Sequence, residues 1–188
     1  RNCEETGALA AQMALTGGPR PTEVVTPAAI RNAQRVLLAV SGSTNAVIHM
    51  AAVAGRIGMK LDLDDFNRLS DQTPVLVDLK PVGAGYMEDF HYAGGLEGVL
   101  REIAPQLETG TRSITGQTLA DRLSRPLADP IDRVVIREAQ TPISPVGGLI
   151  ALLGSLAPDG AILKRAAATE ALLEHEGRAV VFTSLADL

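Results

Sequence analysis

The sequence predicts an α/β fold in two parts, helix-rich to about residue 128 and strand-rich beyond it. Three observations carry that expectation. Apolar residues recur at helical spacing through the first part, and several of these runs open on a capping residue. A Pro/Asp stretch, "RPLADPIDR" from Arg125, interrupts the pattern. After it, short apolar runs alternate with Gly, Pro and Asp, as strands and tight turns do. The expected division is residues 1–128 and 129–188.

The elements follow in order. Residues 4–15 read as a short helix ending at Gly17-Gly18, with a linker from Pro19 to Pro21. Thr26 is an expected N-cap with Pro27 at the first helical position. Ile30, Ala33, Leu37 and Val40 then fall on one helical face. Ser41-Gly42 breaks that helix. Ser43 or Thr44 caps the next one, which runs to about Arg56, and Gly58 follows its end. "LDLDDFNRLSD" reads as a capped short helix, its acidic run serving as cap and surface charge. "TPVLVDLKP" reads as a buried strand. "GAGYMEDFHYAGG" is a glycine-bounded polar and aromatic stretch. "LEGVLREIAPQL" is helical until Pro105, and "TGQTLADRLSR" suggests one more capped helix. "VVIRE", "GGLIALLGSL", "AILK" and "RAVVFTSL" are expected strands.

Bulk properties exclude several functions. The 188 residues are 46% hydrophobic and 21% charged, which fits a globular chain with a sizeable core. Aromatics are only 3% and Trp is absent, so aliphatic residues must fill that core. A net charge of −5 with no Lys/Arg cluster argues against nucleic acid as a partner. No apolar run reaches the ~18 residues of a membrane span, and no signal peptide is visible. A cytoplasmic location and no membrane partner are therefore expected. Cys3 is the single cysteine, so neither a disulfide framework nor a cysteine-only metal site forms within the chain. The chain opens on Arg1 and closes on "TSLADL", where Ser184 reads as an N-cap above Asp187. The expectation is a piece of a longer protein.

Two stretches carry candidate chemistry. In "SGSTNAVIHM", Ser43, Thr44 and Asn45 stand at a helix start, where free N–H groups and the helix dipole favour an anion. The same residues would serve equally as a simple cap. His49 lies one turn beyond Asn45 on the same face, either aimed at the same ligand or a core histidine. "YMEDFHY" gathers Glu88, Asp89, His91 and Tyr92. A carboxylate pair beside a histidine can do acid–base work or bind a metal. It can also be a solvated helix start with acidic first-turn residues. The glycines at 83–85 and 93–95 complete no phosphate-loop pattern, so nucleotide binding has little behind it.

Longer blocks add a resemblance. "TPAAIRNAQRVLLAVSGSTNAVIHMAAVAGRIGMKLDLDDFNRLS" is similar to the middle of the dihydroxy-acid and sugar-acid dehydratases. So are "VLVDLKPVGAGYMEDFHYAGGLEGVLREI", "ITGQTLADRL" and "PISPVGGLIALLGSLAPDGAILKRAAATEALLEHEGRAVVF". "EDFHYAGG" and "LAPDGAILK" most resemble the aldonate branch, which acts on arabinonate and xylonate; the branched-chain dihydroxy-acid enzymes are the alternative. The resemblance implies a hydro-lyase that converts a sugar acid to a 2-keto-3-deoxy acid with a [2Fe–2S] cluster and Mg²⁺. It implies an N-terminal α/β domain, a C-terminal β-barrel-like domain, and a homodimer or homotetramer. The family's Cys-Asp-Lys, TDGR-x-S and GPGMPE motifs are missing here. The chain therefore resembles a central fragment: the second half of the α/β domain and the first strands of the barrel. No catalytic or metal-binding residue of the family maps onto it, and Cys3 takes no ligand role. Ser43, Thr44, Asn45, His49, Glu88, Asp89, His91 and Tyr92 are the expected substrate contacts. The isolated fragment should be inactive. The competing reading is a metal-free binding or assembly module derived from the same family.

Overall fold

The structure, a computed structural model, describes residues 2–187. Eight helices and one hairpin are arranged in the order α1 (Asn2–Thr16), α2 (Pro21–Val24), α3 (Pro27–Ala39), α4 (Thr44–Arg56), α5 (Leu63–Gln72), α6 (Met87–Tyr92), α7 (Gly95–Glu102), α8 (Leu119–Leu123), β1 (Leu149–Gly154) and β2 (Ala157–Lys164) among the described residues. Single 3₁₀ turns add Ala104–Gln106, Arg165–Ala167, Glu170–Leu172 and Leu185–Asp187.

Local chemistry sets the helix ends. Thr26 Oγ1 accepts from the Ala29 N–H at 3.2 Å, and Pro27 fills the first helical position. Asp62 Oδ1 accepts from Asp64 and Asp65, so the acidic run is indeed a cap. Gly58, at φ +74°, closes α4: its N–H reaches Gly55 O and the Met59 N–H reaches Ala54 O. The expected short helix before Gly17 is α1. The helix expected after Gly95 is α7, with a 3₁₀ turn in place of a continuation at Pro105.

Two apolar clusters share α3 as a wall. Ala39, Leu76, Val77, Val99, Ile103, Leu107 and Ile136 form one. Leu37, Leu38, Val47, Phe66, Leu69, Leu149 and Ala151 form the other, joining α3, α4 and α5 to β1. On α3 itself, buried Asn32 pins the segment after α7. Its amide donates to Glu108 O at 3.0 Å and accepts from Glu108 N–H at 2.9 Å.

The strands differ from expectation in three places. Residues 75–77 are extended and buried, as read, but join no ladder. Leu76 N–H bonds to Ala39 O at the end of α3, while Arg137 N–H bonds to Leu76 O and Val75 pairs with Ser144. The backbone is thus satisfied by a helix end and two loops. "VVIRE" is a turn that contributes a single bridge, Ile136 to Val77. "RAVVFTSL" is irregular and exposed, with Val181 at 85%; among the described residues it pairs with no strand. Among the described residues only β1 and β2 form a ladder, antiparallel, with a bulge between Leu152 and Gly154.

β1 is seated on α5 through its backbone. Asn67 Nδ2 donates to Ala151 O at 2.9 Å, and Asn67 Oδ1 accepts from Ala151 N–H at 2.7 Å. Ser70 Oγ donates to Leu149 O at 2.6 Å, and Gly147 N–H donates to Ser70 O. Replacing fully buried Phe66 with Ala should cost about 3–5 kcal/mol in urea denaturation, since it opens a cavity under β1. A pH effect follows from Arg31, whose Nε donates to Glu108 Oε1 at 2.6 Å. That hydrogen bond holds the Glu108 carboxyl below its ordinary value. The pair's stabilisation is therefore complete above the usual carboxylate range near ~4.3 and is lost as pH falls through the lower folded value. Tm measured against pH should show that acid loss in the parent and a shallower one in Arg31→Ala.

Candidate functional site

The head of α4 is built by a tight reversal of the chain. Ser41 takes φ +47°, a conformation uncommon for any residue but glycine, and Gly42 N–H closes back onto Leu37 O at 2.9 Å. Gly148 makes room for the reversal: a Cβ there would lie 2.2 Å from Ser41 Oγ. Ser41 Oγ is itself buried without a hydrogen-bond partner. Lys164, at the end of β2, reaches across to this turn. Its Nζ donates to Ser41 O at 2.8 Å and to Gly42 O at 3.3 Å. An ammonium from the second half of the chain thus fixes the backbone that leads into α4.

Ser43 is the N-cap; its Oγ accepts from Asn45 N–H at 3.2 Å. The open choice between Ser43 and Thr44 is resolved to Ser43. Thr44 is half-buried, and Asn45 and His49 are exposed. His49 is therefore not a core histidine; the face it shares with Asn45 is open to solvent.

The second set sits elsewhere. Glu88, Asp89, His91 and Tyr92 are all exposed on α6. Asp89 Oδ2 accepts from the Tyr86 N–H at 2.7 Å, so this carboxylate caps its own helix. Gly94 (φ +115°) and Gly95 (φ +53°) make the turn from α6 into α7. That turn places His91 and Tyr92, edge to face at 5.3 Å, on the rim of a cleft of about 980 Å³. The opposite wall comes from residues 111–129. Glu88 and Asp89 do not line this cleft, and neither do Ser43, Thr44, Asn45 or His49. The structure therefore keeps the two sets in separate places.

The cleft is walled by arginines that the sequence pattern did not expose. Arg101 Nη1 donates to Leu123 O at 2.7 Å, and its Nη2 donates to Arg125 O. Arg122 pairs with Glu97. Arg112 and Arg125 complete the set. They lie 24 residues apart at the extremes, with no shared period, so only folding reveals them as neighbours. A second cleft of about 930 Å³ lies between α4 and β2, where Ile48, Leu63, Leu153 and Ile162 make it largely apolar.

Residues 1–122 match the dihydroxy-acid/6-phosphogluconate dehydratase N-terminal family, and residues 134–188 match the corresponding C-terminal family. The chain belongs to the dihydroxy-acid/6-phosphogluconate dehydratases. It is 44% identical over 185 residues to an L-arabonate dehydratase of Azospirillum brasilense, covering 96% of this chain and 31% of that protein. A dihydroxy-acid dehydratase of Methanospirillum hungatei is 42% identical over 86% of this chain and 29% of its own length. An L-arabinonate dehydratase of Rhizobium leguminosarum is 43% identical over 89% of this chain and 29% of its own. The chain thus spans about three-tenths of these relatives. The seam described above, where α5 and the α3–α4 turn meet β1 and β2, is where the two family halves meet in this chain.

Ser41 was expected only as the break after α3, and its link to Lys164 had no sequence sign, because a lysine at a strand end gives no hint of what it reaches. Lys164→Met should lower stability by about 2 kcal/mol, the loss of charge-assisted bonds to two carbonyls. Its amide chemical-shift changes should centre on residues 41–45 as well as on 164.

Proposed function

We propose that the full-length protein containing this segment is a hydro-lyase that removes water from a sugar acid, giving a 2-keto-3-deoxy acid. One observation carries the reading: both halves of the dehydratase family match in chain order, over residues 1–122 and 134–188. The arabonate and arabinonate dehydratases among the relatives support an aldonate as substrate. The dihydroxy-acid relatives make a branched dihydroxy acid the comparison substrate. In the reaction the substrate loses a proton from C2 and hydroxide from C3, and the resulting enol becomes the 2-keto acid.

The resemblance implies a [2Fe–2S] cluster and Mg²⁺, and this segment's residues do not fit either. Among the described residues no three His, Cys, Asp or Glu side chains gather to hold a metal. The one thiol, on exposed Cys3, falls short of a cluster's ligand set. Both groups, and the proton-abstracting base, belong to the rest of the full-length protein. This segment's contribution is to bind and orient. Ser43, Thr44 and Asn45 present donors at the head of α4, with His49 beside them, for the substrate's oxygens. The separate α6 set, Glu88, His91 and Tyr92, is the second candidate for meeting hydroxyls of the sugar chain, while Asp89 holds the helix that carries it. The full-length protein is a homodimer or homotetramer acting in the cytoplasm. Among the described residues no helix is long and apolar enough to cross a membrane.

The test begins with the coding frame on both sides of this segment. A frame that continues into Cys-Asp-Lys upstream and TDGR-x-S downstream supports the reading; start and stop codons bracketing the 188 residues sink it. The expressed full-length protein should then dehydrate at least one member of an aldonate panel, and the 188-residue chain alone should dehydrate none. Ser43→Ala in the full-length protein should lower kcat/KM by about tenfold, the value of one lost donor to a charged oxygen. An unchanged kcat/KM would reduce Ser43 to a helix cap.

A further inference from the structure

The cleft beside α7 carries more cationic charge than its setting explains. Arg101, Arg112, Arg122 and Arg125 line it against two carboxylates, Glu97 and Asp129. The lining therefore holds an excess of two positive charges, in a chain whose net charge is −5. Two of the guanidiniums are committed to the fold. Arg101 grips the carbonyls of Leu123 and Arg125, which fixes the backbone under Arg125, and Arg122 pairs with Glu97. The other two are not. Among the described residues, the side chains of Arg112 and Arg125 make no ion pair and no hydrogen bond. Asp121, outside the lining, feels Arg125 only through space and is already bound by the hydroxyl and the N–H of Thr118. Arg101 adds an unspent donor, because its Nε is buried with no partner.

Unpaired guanidiniums in a concave site are suited to one kind of ligand. The planar fork matches an oxyanion that offers two oxygens, as carboxylates and phosphates do. Concave walls reduce screening, so each charge acts more strongly here than on an open face. Hydroxylated residues stand around the same cleft: Ser113 and Thr115 bond to each other at 2.7 Å, and Tyr92 is among the lining side chains.

We propose that this cleft is a binding site for a small oxyanion, carboxylate or phosphate, held by Arg112 and Arg125 on a floor fixed by Arg101. A hydroxylated acid would place its polyol tail toward Tyr92 and His91. That aldonate case rests on the dehydratase reading; the phosphate case does not.

The 188-residue chain itself is the material for the test, since binding needs no turnover. Isothermal titration at low ionic strength is run with L-arabinonate, with inorganic phosphate and with neutral arabitol. At least one anion should bind saturably and weaken as salt rises, while arabitol should not bind. Arabinonate without phosphate would identify a hydroxy-acid site and support the dehydratase reading. Phosphate without arabinonate would keep the site and detach it from that reading. Arg112→Ala/Arg125→Ala should weaken binding at least about tenfold. Both arginines are exposed, and circular dichroism checks that the double variant folds. Arg178→Ala removes an exposed charge outside the cleft and should change nothing. The proposal is overturned if neither anion saturates, if the double variant binds as the parent does, or if Arg178→Ala loses as much.

Discussion

The structure depends on how one free strand edge is closed. β1 has a ladder partner, β2, on one side only. On the other side its backbone would be left with unpaired groups against a helix, which is costly once buried. Asn67 answers for Ala151 with both halves of its amide, and Ser70 answers for Leu149 with its hydroxyl. Two side chains on one face of α5 stand in for a third strand. The hairpin can then lie flat on α3–α5 and bury Leu149 and Ala151 beside Phe66 and Leu69. Since α3 also walls the other cluster, the docking of β1 ties both halves of the chain into one packed body.

The same seam orients the head of α4. Because β1 is seated, Gly148 can press on Ser41, and Lys164 at the end of β2 can reach the carbonyls of Ser41 and Gly42. Sequence positions more than a hundred apart thus define one turn. The direction in which Ser43, Thr44 and Asn45 present their donors is a property of the whole fold rather than of the local motif. This gives a physical reason for the small residues of "SGSTN" and "PVGGL" to come together: bulk at either position would separate the turn from the strand.

Much of the helical architecture was legible because its signals are local. Thr26-Pro27, Asp62 and Gly58 mark ends through their own backbone chemistry, and each does so in the structure. Strands were less legible because apolar content reports burial, not pairing. Residues 75–77 are as buried as a central strand, yet their bonds go to Ala39, Arg137 and Ser144. "RAVVFTSL" has strand composition and stays exposed. At the candidate site, residue identities could be read but not their grouping. His91 and Tyr92 line the arginine cleft, Ser43 to His49 form a separate head, and Asp89 is spent as a cap. The arginine wall and Lys164 had no local signature, because each gains its meaning from a partner distant in sequence.

Native-state hydrogen exchange of the 188-residue chain tests the central claim most directly. The amides to compare are Leu76, bonded to the end of α3, and Ala151, bonded to Asn67. If the side-chain seam unites the two halves, both amides should exchange through the same opening, with equal free energies and equal denaturant slopes. An Ala151 amide that opens far more easily, with a shallow slope, while Leu76 stays protected would contradict it. The hairpin would then be a separately fraying unit, and the head of α4 would take its geometry from its own sequence alone.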